Sequence, residues 1–380
     1  MLMRRINIWI SALAIVLLFQ CLILSATAQK RTADDNWEYP DWKTNTAKRS
    51  INLKDLISPG VTKDGIPSID RPRFVTVNQA RKWLSADEPV VALQVGSVSR
   101  AYPLQILIWH EIVNDVIGKV PVIITFCSIC NSAIVFNRKL DNRTLSFGIA
   151  GFVHGANMVM YDRETESWWQ QFTGKAVVGD LTGKTLTSLP AQLVSFDQFA
   201  SAFPGGEVLS QQTGYRRDYG RNPHIRYDNI ERKPNHFFGK PDTRLIPMEK
   251  VIGIEIKGKA RAYPYSISRE RRVIYDRIDS QEIVVFHSDG ALSALDAEDM
   301  KKSRQIGSTG VFDPAVGGQR LKFRYEDGHF VDAETGSKWN ILGKAVSGRL
   351  QGRSLKRINH GDYFAFAWLA FKPETEIFKE

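Results

Sequence analysis

The sequence predicts an α+β protein made of two duplicated lobes in a pseudo-twofold arrangement, each dominated by antiparallel β-sheet with one or two helices. Two observations carry this prediction. The chain contains an internal repeat, in which residues 174–186 return as residues 343–355. It also contains many short segments rich in β-branched residues, separated by Gly, Pro and Asn turn signals, and few segments with helical spacing.

The repeat continues upstream of these two segments, and the matching blocks keep their order. Asp162-Arg-Glu-Thr-Glu-Ser-Trp-Trp matches Asp332-Ala-Glu-Thr-Gly-Ser-Lys-Trp, and Ala101-Tyr-Pro-Leu matches Ala262-Tyr-Pro-Tyr. Because a repeat unit rarely buries its apolar face alone, we expect two similarly folded lobes that pack together. Residues that both copies share are expected to fix the turns and core common to both lobes.

The repeat and the changes in composition divide the chain into five segments. These are a signal peptide (1–28), an extended N-terminal arm (29–70), a first lobe (71–210), a polar connector (211–244) and a second lobe (245–373).

The first residues have the pattern of an export signal. Arg4 and Arg5 precede an apolar run over residues 8–24, and Ala26-Thr-Ala supplies the small-x-small pattern of a cleavage site before Gln29. We therefore expect a periplasmic or secreted protein with no stable membrane span after cleavage. A retained membrane anchor is the alternative, because the run is near the ~20 residues that span a bilayer.

Composition, charge and the motifs that are absent argue against nucleic-acid binding and nucleotide binding. The chain has 380 residues, 43% of them hydrophobic, and a formal net charge of +10, which is ordinary for a globular protein apart from the positive balance. Its Lys and Arg residues are scattered rather than clustered between aromatic residues, so we expect no nucleic-acid partner. The sequence also contains no Gly-rich phosphate loop and no dinucleotide-binding motif.

The elements of the first lobe follow from local patterns. Residues 90–102 predict a hairpin that turns at Gly96-Ser97. Pro103 then starts a predicted helix, with apolar residues at helical spacing as far as Gly118. Val120-Pro-Val-Ile-Ile-Thr-Phe predicts a buried strand, and residues 195–203 predict a closing helix.

The motif that can carry out chemistry is Cys127-Ser-Ile-Cys130, which follows the predicted buried strand. Cys21 lies in the predicted signal, so the mature chain has no other cysteine. The pair can form a small structural disulfide, chelate a metal or act as a redox couple. The next residues, Asn131-Ser-Ala-Ile-Val-Phe, argue against the long helix whose start is capped by the first cysteine of this motif in thioredoxin-like proteins. Because the second copy has His287-Ser-Asp-Gly here, the thiols belong to one lobe, and we expect Cys127 and His287 at equivalent places.

Two histidines are candidates for the same site. His110 lies on the predicted helix before the cysteine strand, and we expect a ring nitrogen ~3 to 4 Å from a sulfur, as a base or as a ligand. His154 is followed by Met158 and Met160, and such ligands beside two thiols suit copper, whereas histidine and thiolate also suit zinc. The alternatives are a helix with one polar edge and methionines in the core of a strand.

Five blocks of the sequence between residues 102 and 221 are together distinctive, and they belong to a match that covers most of residues 70–270. They are Tyr102-Pro-Leu-Gln-Ile, His110-Glu-Ile-Val-Asn-Asp, Thr125-Phe-Cys-Ser-Ile-Cys-Asn-Ser-Ala, Val159-Met-Tyr-Asp-Arg-Glu-Thr-Glu-Ser-Trp and Arg217-Asp-Tyr-Gly-Arg. In these blocks the chain resembles the exported prokaryotic family catalogued as domain of unknown function 3179. Selenocysteine is assigned to a place in the Cys-x-x-Cys motif of members, so the resemblance implies redox chemistry at Cys127 and Cys130. With Ser128 and Ile129 the chain departs from the usual Cys-Pro-Leu-Cys.

The sequence therefore favours an extracytoplasmic thiol-redox protein. In this interpretation Cys127 is an exposed attacking thiolate, Cys130 is the resolving thiol and His110 is a nearby base. No cofactor is required, and the partner is a small molecule or a thiol/disulfide protein. One alternative is a copper or zinc binding or delivery protein that uses Cys127, Cys130, His110 and His154. The other is a non-catalytic binding module with a structural disulfide.

Overall fold

The computed structural model describes residues 41–379, so the predicted signal peptide lies outside the described residues. The helices in this part of the chain are short. They are the α-helices α1 (Val77–Ala80), α2 (Leu104–His110), α3 (Phe196–Ala202), α4 (Tyr265–Arg271) and α5 (Ala365–Phe371), and the 3-10 helices Leu53–Asp55 and Met300–Lys302.

Strands make up most of the regular structure. Up to the connector they are β1 (Leu56–Ile57), β2 (Phe74–Thr76), β3 (Pro89–Val95), β4 (Val98–Pro103), β5 (Ile112–Ile117), β6 (Val120–Cys127), β7 (Ser132–Asn137), β8 (Lys139–Leu140), β9 (Arg143–Thr144), β10 (Phe147–His154), β11 (Asn157–Asp162), β12 (Trp168–Gln170), β13 (Lys175–Val178), β14 (Thr187–Leu189), β15 (Ala191–Ser195) and β16 (Glu207–Leu209). After the connector they are β17 (Lys250–Ile256), β18 (Lys259–Pro264), β19 (Val273–Ile278), β20 (Gln281–Ser288), β21 (Ser308–Asp313), β22 (Ala315–Val316), β23 (Gln319–Arg320), β24 (Phe323–Glu326), β25 (His329–Asp332), β26 (Lys338–Trp339), β27 (Ala345–Ser347), β28 (Lys356–Arg357), β29 (His360–Phe364) and β30 (Glu376–Ile377).

The sheets before and after the connector have corresponding strand orders. The order β15-β3-β4-β16 corresponds to β29-β17-β18-β30, β14-β7-β6-β5 to β28-β21-β20-β19, and β10-β11-β12-β13 to β24-β25-β26-β27. Pairing is antiparallel in all of them except at β4 with β16 and at β18 with β30, which are both parallel. The structure confirms an α+β fold dominated by antiparallel sheet.

The two halves also contact each other reciprocally. Strand β15 of the first half packs against β21 of the second, and β29 of the second half packs against β7 of the first. Such exchanged contacts are what a twofold relation between two copies produces. A superposition of the lobes, with Cys127 on His287, stays a prediction.

The shared Asp and Trp residues make the same bonds in both halves. Trp169 Nε1 donates to Asp162 Oδ2 at 2.8 Å, and Trp339 Nε1 donates to Asp332 Oδ2 at 2.9 Å. Thr165 N and Thr335 N donate to the other carboxylate oxygen of the same aspartates at 2.7 and 2.6 Å. Both carboxylates are fully buried. These repeated residues therefore fix a turn onto the core in each half.

One predicted helix is much shorter than the sequence indicated. The pattern predicted a helix from Pro103 to Gly118, but α2 ends at His110 and residues 112–117 form strand β5. Glu111 adopts a left-handed conformation with φ of 54°, and its backbone N–H caps Leu107 O. The β-branched residues that follow favour a strand, and β5 pairs along its whole length with β6. The predicted hairpin at Gly96-Ser97, the buried strand and the closing helix are present.

The N-terminal arm adds a strand to one sheet, and the main apolar cluster encloses the two cysteines. Of the arm, residues 41–70 are described, and Leu56–Ile57 adds strand β1 to the sheet of β10. The largest apolar cluster runs from Ile69 to Leu369 and takes side chains from both halves, with Cys127 and Cys130 inside it. Within residues 41–379 no helix has the length and apolar character to cross a membrane.

Candidate functional site

Strand β6 and the turn after it position the two cysteines. Cys127 ends β6 and pairs with Ser132 at the start of β7, while Asn131 closes the turn with φ of 52°. Both cysteines are free thiols, and both are fully buried. The expectation that Cys127 is exposed is therefore wrong, because the connector and the second half of the chain cover the turn.

Four hydrogen bonds hold this cover in place. From the connector, Tyr227 O–H donates to Ile129 O at 2.9 Å, and His224 Nε2 lies 3.2 Å from Ser128 Oγ. From strand β29, Phe364 N donates to Cys130 O at 3.1 Å, and Asp362 O accepts from Asn131 Nδ2 at 3.3 Å. Access to either sulfur from solvent requires these segments to move.

Cys130 has a polar environment in an otherwise apolar cluster. Asn157 Nδ2 donates to Cys130 Sγ at 3.1 Å, and Ser132 Oγ lies 3.0 Å from the same sulfur. Ser132 Oγ is also 2.9 Å from Gln171 Oε1, and a hydroxyl has one hydrogen to share between these two acceptors. The Ser132 hydrogen can therefore turn toward the sulfur when Cys130 is a thiolate and toward Gln171 when it is a thiol.

These contacts shift the pKa values of the two thiols in opposite directions. Burial alone would raise the pKa of Cys130, but hydrogen bonds from Cys127, Ser132 and Asn157 outweigh it and lower that pKa below its usual value. Burial raises the pKa of Cys127 well above its usual value, and the neighbouring Cys130 adds to this increase. Cys130 is therefore the thiol that ionises first.

A buried amide network holds the groups that contact Cys130. Asn157 Nδ2 also donates to Gln171 Oε1 at 2.6 Å, and Gln171 Nε2 donates to Thr125 Oγ1 at 2.8 Å. Gln170 Nε2 donates to Asn157 Oδ1 at 2.5 Å. Because each amide is fixed by at least two partners, the Asn157 donor is oriented before any charge forms on the sulfur.

Glu111 is a site residue that the sequence analysis did not select. Burial raises its pKa to about 8, and the proximity of Cys127 adds to the increase. Its side chain makes no hydrogen bond within the described part of the chain. Sequence reasoning passed over Glu111 because it selected the adjacent His110 as the candidate residue of the expected helix. The signal that could have identified it is an acidic residue directly before the β-branched run of β5.

The raised pKa of Glu111 predicts a pH-dependent stability. Folding raises its pKa from 4.5 to about 8, so the folded protein keeps a proton that the unfolded chain releases in this range. The free energy of unfolding is therefore expected to fall as pH rises from 4.5 to 8, by on the order of 3 kcal/mol. Glu111→Gln should remove most of this slope, measured by urea unfolding between pH 5 and 8.5. The same slope in the variant would contradict the assignment, and Glu164→Gln, at an exposed position, is the control.

The two predicted histidines bind other groups. His110 Nδ1 donates to Pro67 O at 2.7 Å, and its Nε2 accepts from the Tyr219 hydroxyl at 2.6 Å. Burial lowers the pKa of His110, in keeping with a neutral ring. His154 Nδ1 lies 2.7 Å from Gln170 Oε1. Neither imidazole thus places a ring nitrogen on a thiol, and the expected contact between His110 and the cysteines is not made.

The structure does not assemble the predicted metal ligands. Across residues 41–379, no three side chains of His, Cys, Asp or Glu come together as a metal site. Cys127 and Cys130 are neighbours, but His110 and His154 are held by the separate bonds described above. The donor set around the sulfurs consists of a hydroxyl and amides, which suits a thiolate better than a thiophilic metal ion.

The matching place in the second half has a histidine and no thiol. His287 pairs with Thr309 as Cys127 pairs with Ser132. Its Nδ1 lies 2.9 Å from Ser268 Oγ, and burial lowers the pKa of its imidazole to about 4. The ring is therefore neutral at ordinary pH, which supports a structural role for this place in the second half.

Comparison with known proteins places most of the described chain in one family. No curated protein and no solved structure matches the chain. A family model matches residues 63–375, which span both halves and the connector between them. The two halves, with the cysteine turn in the first of them, therefore belong to a single family unit, and the chain is a member of the family described as protein of unknown function, DUF3179.

Proposed function

We propose that the chain is an extracytoplasmic thiol-redox protein in which Cys127 and Cys130 alternate between a dithiol and a disulfide. The observation that carries this proposal is the placement of the Ser132 hydroxyl and the Asn157 amide on the sulfur of Cys130, one of two adjacent free thiols, where they lower its pKa. A structural disulfide needs no such hydrogen bonds to one of its sulfurs. A nucleophilic thiolate is stabilised by them.

The chemistry assigns a role to each group. Cys130 as thiolate attacks one sulfur of a disulfide substrate and releases the first substrate thiolate. Cys127 then attacks Cys130 Sγ, which closes the protein disulfide and releases the second substrate thiolate. The proton that Cys127 loses passes to the first substrate thiolate that was released; above about pH 8, where Glu111 is ionised, the Glu111 carboxylate can take this proton instead. Overall, one disulfide is reduced to two thiols and the protein dithiol is oxidised.

Burial of both sulfurs favours a small substrate. The turn is covered by Tyr227 and by strand β29, so a folded protein with a surface disulfide cannot reach Cys130 in this conformation. A low-molecular-weight disulfide needs a smaller opening of the connector. A thiol/disulfide protein partner remains the second outcome of the test.

The test is to count thiols and metal on one anaerobic sample of the mature protein. We expect two titratable thiols per chain, no stoichiometric copper or zinc, and a reversible two-electron midpoint potential in a glutathione redox titration. Oxidation by glutathione disulfide should be faster than oxidation by an oxidised thioredoxin-like protein. Stoichiometric metal would favour the binding or delivery protein, and a pair that stays oxidised under strong reductant would favour a structural disulfide.

A further inference from the structure

A cavity of about 440 Å³ lies between the two halves, outside the cysteine turn. Strands β7 and β14 line it from the first half, and β17, β29 and α5 line it from the second. Asn359 Nδ2 donates to Ser188 Oγ at 2.7 Å and joins the halves at one edge. Its volume is within the range of sites that bind small organic molecules.

Four aromatic rings form a continuous wall of this cavity. Phe371 stacks on Phe172 with centroids 4.5 Å apart and planes 16° apart. Phe172 lies 4.9 Å from Tyr363, and Tyr363 lies 5.0 Å from Trp368. Such a wall favours a planar, ring-containing ligand, because aromatic rings stabilise each other in offset-stacked and edge-to-face arrangements.

The wall carries hydrogen-bonding groups that the protein does not use. Trp368 is 3% exposed, and its Nε1 is buried without a hydrogen-bond partner. The Tyr363 hydroxyl likewise has no hydrogen bond to any of residues 41–379. A buried N–H that is left unpaired is destabilising by about 1–3 kcal/mol, so an unpaired indole N–H in a cavity wall calls for an acceptor.

The position of Trp368 depends on a glycine that the first half does not have. A Cβ at Gly253 would lie 2.3 Å from Trp368 Cε3, so only glycine admits the indole here. Gly253 pairs with Ala262 as Ala92 pairs with Ala101 in the matching hairpin. The cavity wall is therefore a feature of the second half and not of the fold that both halves share.

Charge at the rim favours an anion. Lys372 is paired with Glu255, so this pair is neutral overall. Lys175 is exposed, lines the cavity and has no ion pair within the described part of the chain. The rim therefore has one uncompensated positive charge, next to an aromatic wall with a free N–H donor.

From these observations we infer that the cavity between the halves is a binding site for a small aromatic carboxylate. The ring lies against the wall of Phe172, Phe371 and Trp368, one carboxylate oxygen accepts from Trp368 Nε1, and the other carboxylate oxygen faces Lys175. This site does not depend on the redox chemistry of Cys127 and Cys130. Its test therefore stands whether or not the proposed function holds.

The experiment is isothermal titration calorimetry of the mature protein with 2-naphthoate and with its neutral analogue 2-naphthamide. We expect one saturable site for 2-naphthoate. Lys175→Gln should weaken 2-naphthoate about threefold and leave 2-naphthamide unchanged, because only the carboxylate interacts with the lysine charge. Trp368→Phe should weaken both probes about fivefold, because both use the indole donor.

Lys338→Gln, an exposed lysine outside the cavity, is the matched control and should change neither affinity. Thermal melting verifies that each variant is folded. The inference is overturned by the absence of saturable binding of 2-naphthoate at millimolar concentration. It is equally overturned by binding that Trp368→Phe and Lys175→Gln both leave unchanged in folded protein.

Discussion

Cys130→Ser is expected to abolish the thiol of low pKa, and with it any reaction with disulfides near neutral pH. Cys127→Ser should keep both, because the serine hydroxyl, like the Cys127 thiol, can donate to Cys130 Sγ. Asn157 and Ser132 contact Cys130 Sγ, and the pKa of Cys127 is raised. The rate of alkylation by iodoacetamide, measured against pH by mass spectrometry, separates the two thiols. Below pH 8 we expect the Cys130→Ser variant to react at least 100-fold more slowly than the Cys127→Ser variant, since the thiolate is the nucleophile.

Removal of the hydrogen-bond donors provides the control for this prediction. Asn157→Ala and Ser132→Ala should each raise the pKa at which Cys130 is alkylated, and should leave the rate at high pH within a few-fold of the wild type. A disulfide substrate should be trapped on Cys130 in the Cys127→Ser variant, because the resolving thiol is missing. Trapping on Cys127 in the Cys130→Ser variant would contradict the assignment and restore the order that the sequence suggested by analogy with other Cys-x-x-Cys couples.

Much of the fold could be predicted from local sequence patterns, and the internal repeat shows many of these patterns twice. The turn at Gly96-Ser97, the β-branched strand before Cys127 and the closing helix at residues 195–203 have short-range signals, and all three are present. The helix that begins at Pro103 was extended too far because apolar residues at helical spacing continue into β5. A single left-handed residue, Glu111, ends it, and no composition pattern marks a left-handed glutamate.

The candidate site was harder to predict because its parts are distant in sequence. The cysteines are recognisable by their spacing, but Asn157 and Gln171 approach Cys130 through sheet packing, and nothing in their local sequence indicates a thiol nearby. Burial of the cysteines comes from the connector and strand β29, far along the chain. His110 was predicted to contact the thiols because the polar edge of the predicted helix was expected to face them. A single sequence therefore locates the cysteine motif but not the groups that set the pKa values of its thiols.

Asp332→Ala is expected to lower the free energy of unfolding by about 4 kcal/mol, because it removes the acceptor from several buried donors at once. Asp332 is fully buried and accepts from Trp339 Nε1, Thr335 N and Thr335 Oγ1. The loss leaves an indole N–H and a backbone N–H unpaired in the core, each destabilising by about 1–3 kcal/mol, and opens a small cavity.

The matched residue of the first half makes the comparison more informative. Asp162→Ala should destabilise the protein by a similar amount, since Asp162 accepts the same set of bonds from Trp169 and Thr165. Guanidinium unfolding followed by tryptophan fluorescence measures both variants, and Asp180→Ala, whose carboxylate forms an exposed pair with Lys48, is the control with an expected change below about 1 kcal/mol. If Asp332→Ala destabilises the protein no more than this control, the buried aspartates do not fix the repeated turn. If the two buried variants differ by more than about 2 kcal/mol, the turn contributes unequally to the free energy of unfolding in the two halves. The same hydrogen bonds are then present in both halves but differ in their contribution to stability.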